Sequence, residues 1–305
     1  MNNPAKTCAL ITPQLDVVVG TTAAGKTAWA LDYAESIGGE IVNCDAVCFY
    51  RGMDIGSAKP TTAERARVPH HLLDLVSVAD TYTIGRYAED ALAICQQLWA
   101  AGKRVVVTGG SGFYLKSYFA AVDDPVTVPP EVRQRVAELQ ATAGLDGLLE
   151  ALNSCNPEGV EDLIDTCNPR RVVRALERCW ASGTPLRELR ASFLARRSPF
   201  ADIPKRLILI QREPADLEQR IMQRVEQMLA AGLIDEVRGL EQQGLRFNPA
   251  AAAAIGYRET LAAIDGELPF SDLAATIAAN TRKLAAKQRK WFRTQLPAPD
   301  EVITL

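Results

Sequence analysis

The sequence has only two histidines, and its cysteines form no C-x-x-C pair. His70 and His71 are adjacent, so their side chains are expected to diverge and not to hold one metal ion together. The seven cysteines, of which Cys8 is the first, are odd in number, which disfavours a framework of disulfides and fits a reducing compartment. We therefore expect neither a structural zinc site nor a disulfide-stabilised fold.

Long apolar runs are also absent. None approaches the roughly 18 residues that a membrane-spanning helix needs, and the stretch before Leu15 is too weakly apolar for a signal peptide. The net charge of −3 excludes a globally basic nucleic-acid binder, although a locally basic face remains possible. We expect a cytoplasmic protein without a membrane segment, and nothing in the sequence indicates an obligate interface, so a monomer is expected.

Strands alternate with helices through the first part of the chain. Strands are predicted at 15–20, 40–45, 103–108 and 206–210, and the helices between them at 26–37 and 82–101. This order predicts an α/β fold with a parallel sheet flanked by helices. Between 126 and 200 the pattern is helical, as it is from 215 to 293. We therefore expect a core of residues 1–125 and 201–305, with an all-helical insertion at 126–200 and a helical C-terminal region.

A glycine-rich loop follows the first predicted strand and opens the first predicted helix. It matches G-x-x-x-x-G-K-[ST], whose backbone amides surround a phosphate while its lysine adds charge and its hydroxyl can hold Mg²⁺. The alternative is an accidental glycine-rich turn. Phosphate binding is favoured because the motif follows a predicted strand and opens a predicted helix, which is the context that supports it. The motif predicts binding of a diphosphate or triphosphate without identifying a nucleotide. Its residues are Gly20, Thr21, Thr22, Ala23, Ala24, Gly25, Lys26 and Thr27, the last being the candidate metal ligand.

Two further polar residues follow predicted strands at the same sheet edge. Asp45 ends the second strand and Ser111 follows the third, and parallel topology places both beside the glycine-rich loop. A carboxylate facing a phosphate site suits deprotonation of a nucleophile. The alternative, Asp45 as a helix cap and Ser111 as a turn residue, is equally consistent with these residues alone.

Two segments are strongly basic. Residues 168–178 carry four arginines against one acid, and residues 281–293 carry six cations and no acid. Solvated helix faces are the ordinary explanation of such runs, but two uncompensated clusters in an acidic chain favour a polyanionic partner such as RNA. By helical spacing, Trp291 is expected in a buried stripe, and Phe292 is likewise expected to be core.

The motifs together resemble the tRNA dimethylallyltransferase (tRNA isopentenyltransferase) family over residues 17–293. The similar stretches are GTTAAGKT (20–27), EIVNCDA (40–46), YRGMDIGSAKP (50–60), PHHLLDL (69–75), GGSGFYLK (109–116), NPRRVVRALE (168–177), RIMQRVEQMLAAGLIDEV (220–237), AIGYRE (254–259) and TRKLAAKQRKWFR (281–293).

The resemblance implies transfer of a dimethylallyl group from dimethylallyl diphosphate to N6 of adenosine 37 in the tRNA anticodon loop, with Mg²⁺ as cofactor and release of diphosphate. It implies that Asp45 deprotonates the amine, that Ser111 contacts the donor and target base, and that Arg220 neutralises the diphosphate. The implied tRNA contacts, with the insertion closing over the anticodon arm, are Asp45, Ala46, Val47, Cys48, Ser111, Arg133, Arg170, Arg171, Val172, Val173, Arg174, Ala253, Ala254, Ile255, Gly256, Tyr257, Arg258, Lys287, Gln288, Arg289, Lys290, Trp291, Phe292 and Arg293.

The sequence departs from the family pattern at four positions. Thr21 and Ala24 replace the usual Pro and Ser of the loop, and Ala46 replaces a Ser that normally follows the catalytic Asp. Ser111 stands where the family carries Thr, which keeps the hydroxyl but loses the methyl group that limits its rotamers. No charge needed by the implied reaction is lost, so an active enzyme is expected.

Three alternatives remain open. An adenylate isopentenyltransferase would use the same donor on free AMP, ADP or ATP, although the insertion and the basic C-terminal helix argue against it. A small-molecule kinase would bind ATP in the glycine-rich loop and transfer phosphate. An RNA-binding module would keep the loop without catalysis.

Overall fold

A computed structural model describes residues 12–122 and 126–305 of the chain. Cys8 lies outside this range, as does the stretch before Leu15 that was considered for a signal peptide, except for its residues 12–14. The described residues divide into two compact units. Within the described ranges, one comprises residues 12–119 with Pro199–Leu305, and the other comprises residues 120–122 and 126–198. We call them the core unit and the helical unit.

The core unit is built on a six-stranded sheet in the order β3-β2-β4-β1-β5-β6, with every neighbouring pair parallel. β1 lies in the centre, where Val17 is in register with Val107 on one side and Leu207 on the other. The strands are β1 (Leu15–Gly20), β2 (Gly39–Asn43), β3 (His70–His71), β4 (Arg104–Gly109), β5 (Lys205–Gln211) and β6 (Glu301–Thr304).

Helices cover both faces of this sheet, which explains why every residue of β1 is buried, without alternation between buried and exposed positions. Val18 packs into a cluster with Ala30 and Leu31, whereas Val17 and Val19 face the larger cluster on the opposite side. The helices of the core unit are α1 (Lys26–Ser36), α2 (Thr62–Arg67), α3 (Ile84–Ala100), α4 (Gly112–Lys116), α8 (Pro214–Ala230), α9 (Leu233–Gln242), α10 (Pro249–Ala252), α11 (Tyr257–Ile264) and α12 (Phe270–Gln295), with 3-10 turns at Ala46–Phe49 and Leu245–Phe247.

The helical unit contains α5 (Pro130–Ser154), α6 (Pro169–Ser182) and α7 (Leu186–Ala195). Gly144 interrupts α5 with a φ of 63° and a ψ of −152°, a conformation that glycine adopts far more readily than other residues. Asn168 caps α6 by accepting a hydrogen bond from the Arg171 N–H, and Pro169 occupies its first position. The apolar side chains of α5 and α6, including Leu148 and Leu176, form a core within this unit.

The predicted fold class is confirmed: the sheet is parallel and flanked by helices. β2 ends at Asn43 and not at residue 45, because Asp45 caps the 3-10 turn that follows. The short edge strands β3 and β6 were not predicted. None of the helices in the described part of the chain is long and apolar enough to cross a bilayer.

Candidate active site

The loop between β1 and α1 has the backbone shape of an anion site. A side chain at Gly20 would come within 2.6 Å of the Ile210 carbonyl of β5, so only glycine fits there. Gly25 has a φ of 96° and turns the chain directly into α1. The first N–H groups of a helix have no acceptor within it, and they favour an anion placed at its start.

Two arginines hold the outer side of this loop. Arg212 Nε donates to the Ala24 carbonyl at 3.1 Å, and Arg220 Nε donates to the Ala23 carbonyl, also at 3.1 Å. Both donate to carbonyl oxygens, which leaves the loop's N–H groups to other partners. Arg220, expected from the sequence to face the diphosphate, therefore does lie against the loop.

Beside the loop is a cavity of about 910 Å³, which we call the phosphate-side cavity. Lys26, Thr27, Arg220 and Arg224 are among the residues that line it. The pKa of Lys26 is lowered to about 8, chiefly by burial; Asp45 opposes the shift and Arg224 contributes to it. Burial also lowers the pKa of Arg224. Burial therefore disfavours the charged forms of both side chains. A bound anion would offset this free-energy cost, so the pair of cations in one cavity favours an anionic ligand.

Asp45 is held at the edge of the sheet by its own turn. Its Oδ1 accepts from the Val47 N–H at 3.2 Å and caps the 3-10 turn. Its N–H donates to Asn43 Oδ1 at 3.0 Å, and the Asn43 amide donates to the Leu72 carbonyl. The capping alternative is thus realised, yet it occupies only one carboxylate oxygen.

The second oxygen of Asp45 lies near the turn that follows β4. A Cβ placed on Gly110 would lie 3.8 Å from Asp45 Oδ2, 3.7 Å from Lys26 Nζ and 2.7 Å from Gln288 Nε2. These three side chains therefore converge on the backbone at Gly110. Ser111, the next residue, accepts a hydrogen bond from the Ala46 N–H at 2.9 Å. Its hydroxyl joins the two turns that end β2 and β4.

Two more cavities meet at Asp45. A central cavity of about 150 Å³ is lined by Lys26, Thr27 and Arg224, and an outer cavity of about 400 Å³ is lined by Ser111 and Trp291. The residues shared by both linings are Asp45, Val47, Ile255, Leu284 and Gln288. Asp45 therefore lines both the central cavity, which holds the cations, and the outer cavity.

Gln288 connects the glycine-rich loop to the turn that carries Ser111. Its Oε1 accepts from the Thr22 N–H at 2.8 Å, and its Nε2 donates to the Gly110 carbonyl at 2.9 Å. Since Gln288 lies on α12, this one side chain fixes the position of both loops relative to that helix.

A carboxylate organises the segment that lines the other side of the central cavity. Glu236 accepts from the N–H groups of residues 54, 55 and 56, at 3.1, 2.7 and 3.2 Å, and from the Tyr257 hydroxyl at 2.7 Å. Lys59, almost fully buried, donates to the Tyr50 carbonyl and pairs with Asp74 at 2.6 Å. The YRGMDIGSAKP stretch is thus held by the Glu236 carboxylate and by the buried Lys59 ammonium.

Comparison with known proteins places the chain in a family. The sequence profile described as IPP transferase matches residues 48–295. A tRNA dimethylallyltransferase of Opitutus terrae is 53% identical over 93% of this chain and 91% of its own length. One of Bdellovibrio bacteriovorus is 41% identical over 90% of this chain and 89% of its own. The chain belongs to the tRNA dimethylallyltransferase family.

Solved structures of the family agree with the fold. The full-length tRNA isopentenylpyrophosphate transferase of Bacillus halodurans superposes with a TM-score of 0.67 and 29% identity, covering 96% of this chain and 90% of that one. A eukaryotic dimethylallyltransferase acting on tRNA has a TM-score of 0.81 at 23% identity, covering 96% and 74% of the two chains. The latter likeness concerns the fold alone.

Most of the positions that the family resemblance leads us to expect at the tRNA lie in the core unit, but their surroundings differ. Some line the outer cavity, namely Asp45, Val47, Ser111, Ala253, Ala254, Ile255, Lys287, Gln288, Trp291 and Phe292. Cys48 is buried, and Tyr257 is buried with its hydroxyl on Glu236. Arg258 is exposed and pairs with Glu259.

The basic C-terminal helix does not present its cations on one side. Lys287 lies at the outer cavity, whereas Arg289 and Arg293 line a separate cavity of about 700 Å³ against β5. Arg282 pairs with Glu218 of α8 at 2.9 Å, so the expectation of a wholly uncompensated cluster is wrong. Phe292 is core as expected, but Trp291 is only half-buried, and it forms a wall of the outer cavity.

Six of the assigned positions lie in the helical unit. Four of these six are exposed arginines, namely Arg133, Arg170, Arg171 and Arg174. Val172 is fully buried in the core of this unit, and Val173 is half-buried. Arg171 and Arg174 have carboxylates of their own unit within 4 Å, at 3.9 and 3.5 Å. Their charges are therefore partly compensated.

Sequence reasoning missed Arg224 and the bridging role of Gln288. Arg224 lies in the RIMQRVEQMLAAGLIDEV stretch, four residues after Arg220 and thus on the same face of α8. That spacing could have identified it. The bonds of Gln288 join residues far apart in the chain, and no local pattern indicates them.

Proposed function

We propose that this chain transfers a dimethylallyl group from dimethylallyl diphosphate to N6 of adenosine 37 in the anticodon loop of tRNA, releasing diphosphate. The observation that carries the proposal is the convergence of Lys26 Nζ and Asp45 Oδ2 near Gly110, in a member of this family. A phosphate-binding cation and a free carboxylate oxygen meet there between two cavities.

The diphosphate of the donor binds in the phosphate-side cavity. The N–H groups that start α1 and the side chains of Lys26, Arg220 and Arg224 supply its positive surroundings. As the allylic carbon–oxygen bond breaks, its electron pair remains on the departing diphosphate oxygen. Cations fixed before the reaction stabilise this growing charge, which is the effect they can exert most strongly.

Mg²⁺ fits this site as an ion bound mainly through the diphosphate. Thr27 offers a hydroxyl at the boundary of the phosphate-side and central cavities. Among the described residues, no cluster of three His, Cys, Asp or Glu side chains could hold a metal alone. Proteins commonly bind Mg²⁺ through few side chains and substrate phosphates, and when bound it neutralises leaving-group charge.

Asp45 accepts the proton that N6 loses as the new nitrogen–carbon bond forms. Its Oδ1 is held by the Val47 N–H, so Oδ2 is fixed in direction without a competing donor among the described side chains. An aromatic amine is a poor nucleophile, and a positioned base contributes typically 10² to 10⁴ in rate, as an order of magnitude. The capping contact and the catalytic role are therefore compatible.

The target adenine enters from the outer cavity. Ser111 and Trp291 line this side, and Asp45 separates it from the donor. A base in a single-stranded loop leaves its stack at a lower cost than a base in a duplex. We propose that residues 126–200 close over the anticodon arm and that their exposed arginines contact its phosphates. A monomeric state and a cytoplasmic location stay predictions.

The test is an assay of the protein with dimethylallyl diphosphate and Mg²⁺ on tRNA and on AMP in parallel. Mass spectrometry of the digested nucleosides should find the dimethylallyl adenosine only in the tRNA reaction. Transfer to AMP at a comparable rate would favour an adenylate isopentenyltransferase. Transfer of phosphate from ATP would favour a kinase, and binding of tRNA without product would favour an RNA-binding module.

A further inference from the structure

One large aromatic side chain at the outer cavity has no role in the proposed reaction. Phe113 is 55% exposed, and it lines the outer cavity together with Ser111 and Asp45. The adjacent Tyr114 turns inward, where its ring lies 5.1 Å from the rings of both Phe49 and Tyr87. The single helical turn of α4 thus buries one aromatic ring and presents the next to solvent.

The wall beside Phe113 is fixed in place. Any side chain at Gly112 would come within 2.6 Å of the Trp291 indole, so this ring packs directly on the backbone next to Phe113. Trp291 in turn lies 6.1 Å from the core residue Phe292, edge to face. One face of the cavity therefore combines an indole packed against the backbone with an exposed phenyl ring.

The charge at this cavity indicates what covers the ring. Lys287 lines the same cavity, is exposed, and has no carboxylate within 4 Å among residues 12–122 and 126–305. An apolar protein partner would leave this cation without a counterion, whereas a nucleotide supplies a flat base and a phosphate together. Aromatic rings beside cations are how proteins bind unpaired bases.

We infer that Phe113 forms a stacking site for a second nucleobase of the RNA, the one flanking the acceptor adenosine. This rests on the proposed function, because it assumes that the acceptor base enters past Ser111. The flanking base stacks on the Phe113 ring outside the cavity, and Lys287 contacts the adjoining phosphate. The free-energy cost of unstacking the acceptor base from its neighbour is then offset by the stacking of that neighbour on Phe113.

The experiment uses an anticodon stem-loop with 2-aminopurine at the flanking position, titrated with the protein in the absence of donor. Stacking on an aromatic ring quenches this fluorophore. For Phe113→Ala, we expect most of the quenching to be lost and the Kd for the RNA to rise about 5- to 150-fold. The KM for dimethylallyl diphosphate should stay unchanged, since Phe113 does not line the phosphate-side or central cavity.

Two further variants separate stacking from apolar packing. Phe113→Tyr should restore both the quenching and the Kd, whereas Phe113→Leu should restore neither. The control is Phe247→Ala, which removes another exposed phenyl ring, one that lines none of the cavities described above, and should leave Kd unchanged.

The inference is overturned if Phe113→Ala binds and quenches as the unaltered protein does, or if leucine substitutes fully for phenylalanine. Failure of the proposed function would look different. In that case the unaltered protein would give no prenylated nucleoside, while the donor-free titration would still report whether a base stacks at Phe113.

Discussion

Lys26 should make diphosphate binding depend on pH in a defined direction. Its pKa in the empty site is about 8, lowered chiefly by burial and further by Arg224. A bound diphosphate favours the charged lysine, so binding must be accompanied by proton uptake above that pH. The affinity for diphosphate should therefore be flat below about pH 7.5 and should fall as the pH rises through 8.

The magnitude follows from the protonated fraction. With a pKa of about 8, roughly nine tenths of the lysine is charged at pH 7 and roughly one tenth at pH 9, so the affinity should fall about tenfold between them. The assay is isothermal titration calorimetry with inorganic diphosphate, in two buffers of different ionisation enthalpy so that proton uptake is measured directly.

Lys26→Arg is the matched control, because arginine stays charged throughout this range. Diphosphate itself titrates, and the difference between the two proteins removes that contribution. Asp45→Asn should move the inflection to lower pH, since Asp45 raises the pKa of Lys26. Identical pH profiles for the two proteins with lysine and arginine at position 26 would refute the reasoning.

Three other predictions test separate parts of the site. Asp45→Asn removes the proposed base but keeps an oxygen for the Val47 N–H. Single-turnover rates should therefore fall about 10² to 10⁴, while tRNA affinity measured by filter binding changes little. A collapse of that affinity would make Asp45 an RNA-binding residue. Gln288→Ala removes both bonds that join the glycine-rich loop to the Ser111 turn, which should raise the KM for dimethylallyl diphosphate about tenfold, and an unchanged KM would contradict the bridge. Tyr257→Phe removes the hydroxyl that donates to the Glu236 carboxylate, so thermal denaturation should show a loss of stability of about 2 kcal/mol while tRNA affinity is retained. A loss of tRNA affinity at unchanged stability would instead indicate that Tyr257 contacts the RNA directly.

Local sequence predicted much of the fold, because its strongest signals are local. β1 was bounded correctly from a buried apolar run and the glycine-rich loop after it, and β4 and β5 differ from their predicted bounds by one residue at each end. β3 and β6 escaped prediction because both are short strands at sheet edges, where pairing with a neighbour and not an apolar pattern defines them.

The site was predictable only where a residue's position follows from the topology. Asp45 and Ser111 were expected at one sheet edge, and they lie there. The burial of Tyr257 and the two bonds of Gln288 could not be predicted, since each depends on partners from distant parts of the chain. Arg289 and Arg293 face away from Lys287 because they follow it by two and six positions, spacings that lead to the opposite side of an α-helix.

The most direct measurement is a crystal structure of the protein with an unreactive donor analogue, Mg²⁺ and an anticodon stem-loop. We expect the analogue's diphosphate against the N–H groups that start α1 and the Lys26 ammonium, with the acceptor N6 about 3 Å from Asp45 Oδ2. A nucleoside triphosphate preferred in the glycine-rich loop, or an adenine amine beyond reach of Asp45, would contradict the account.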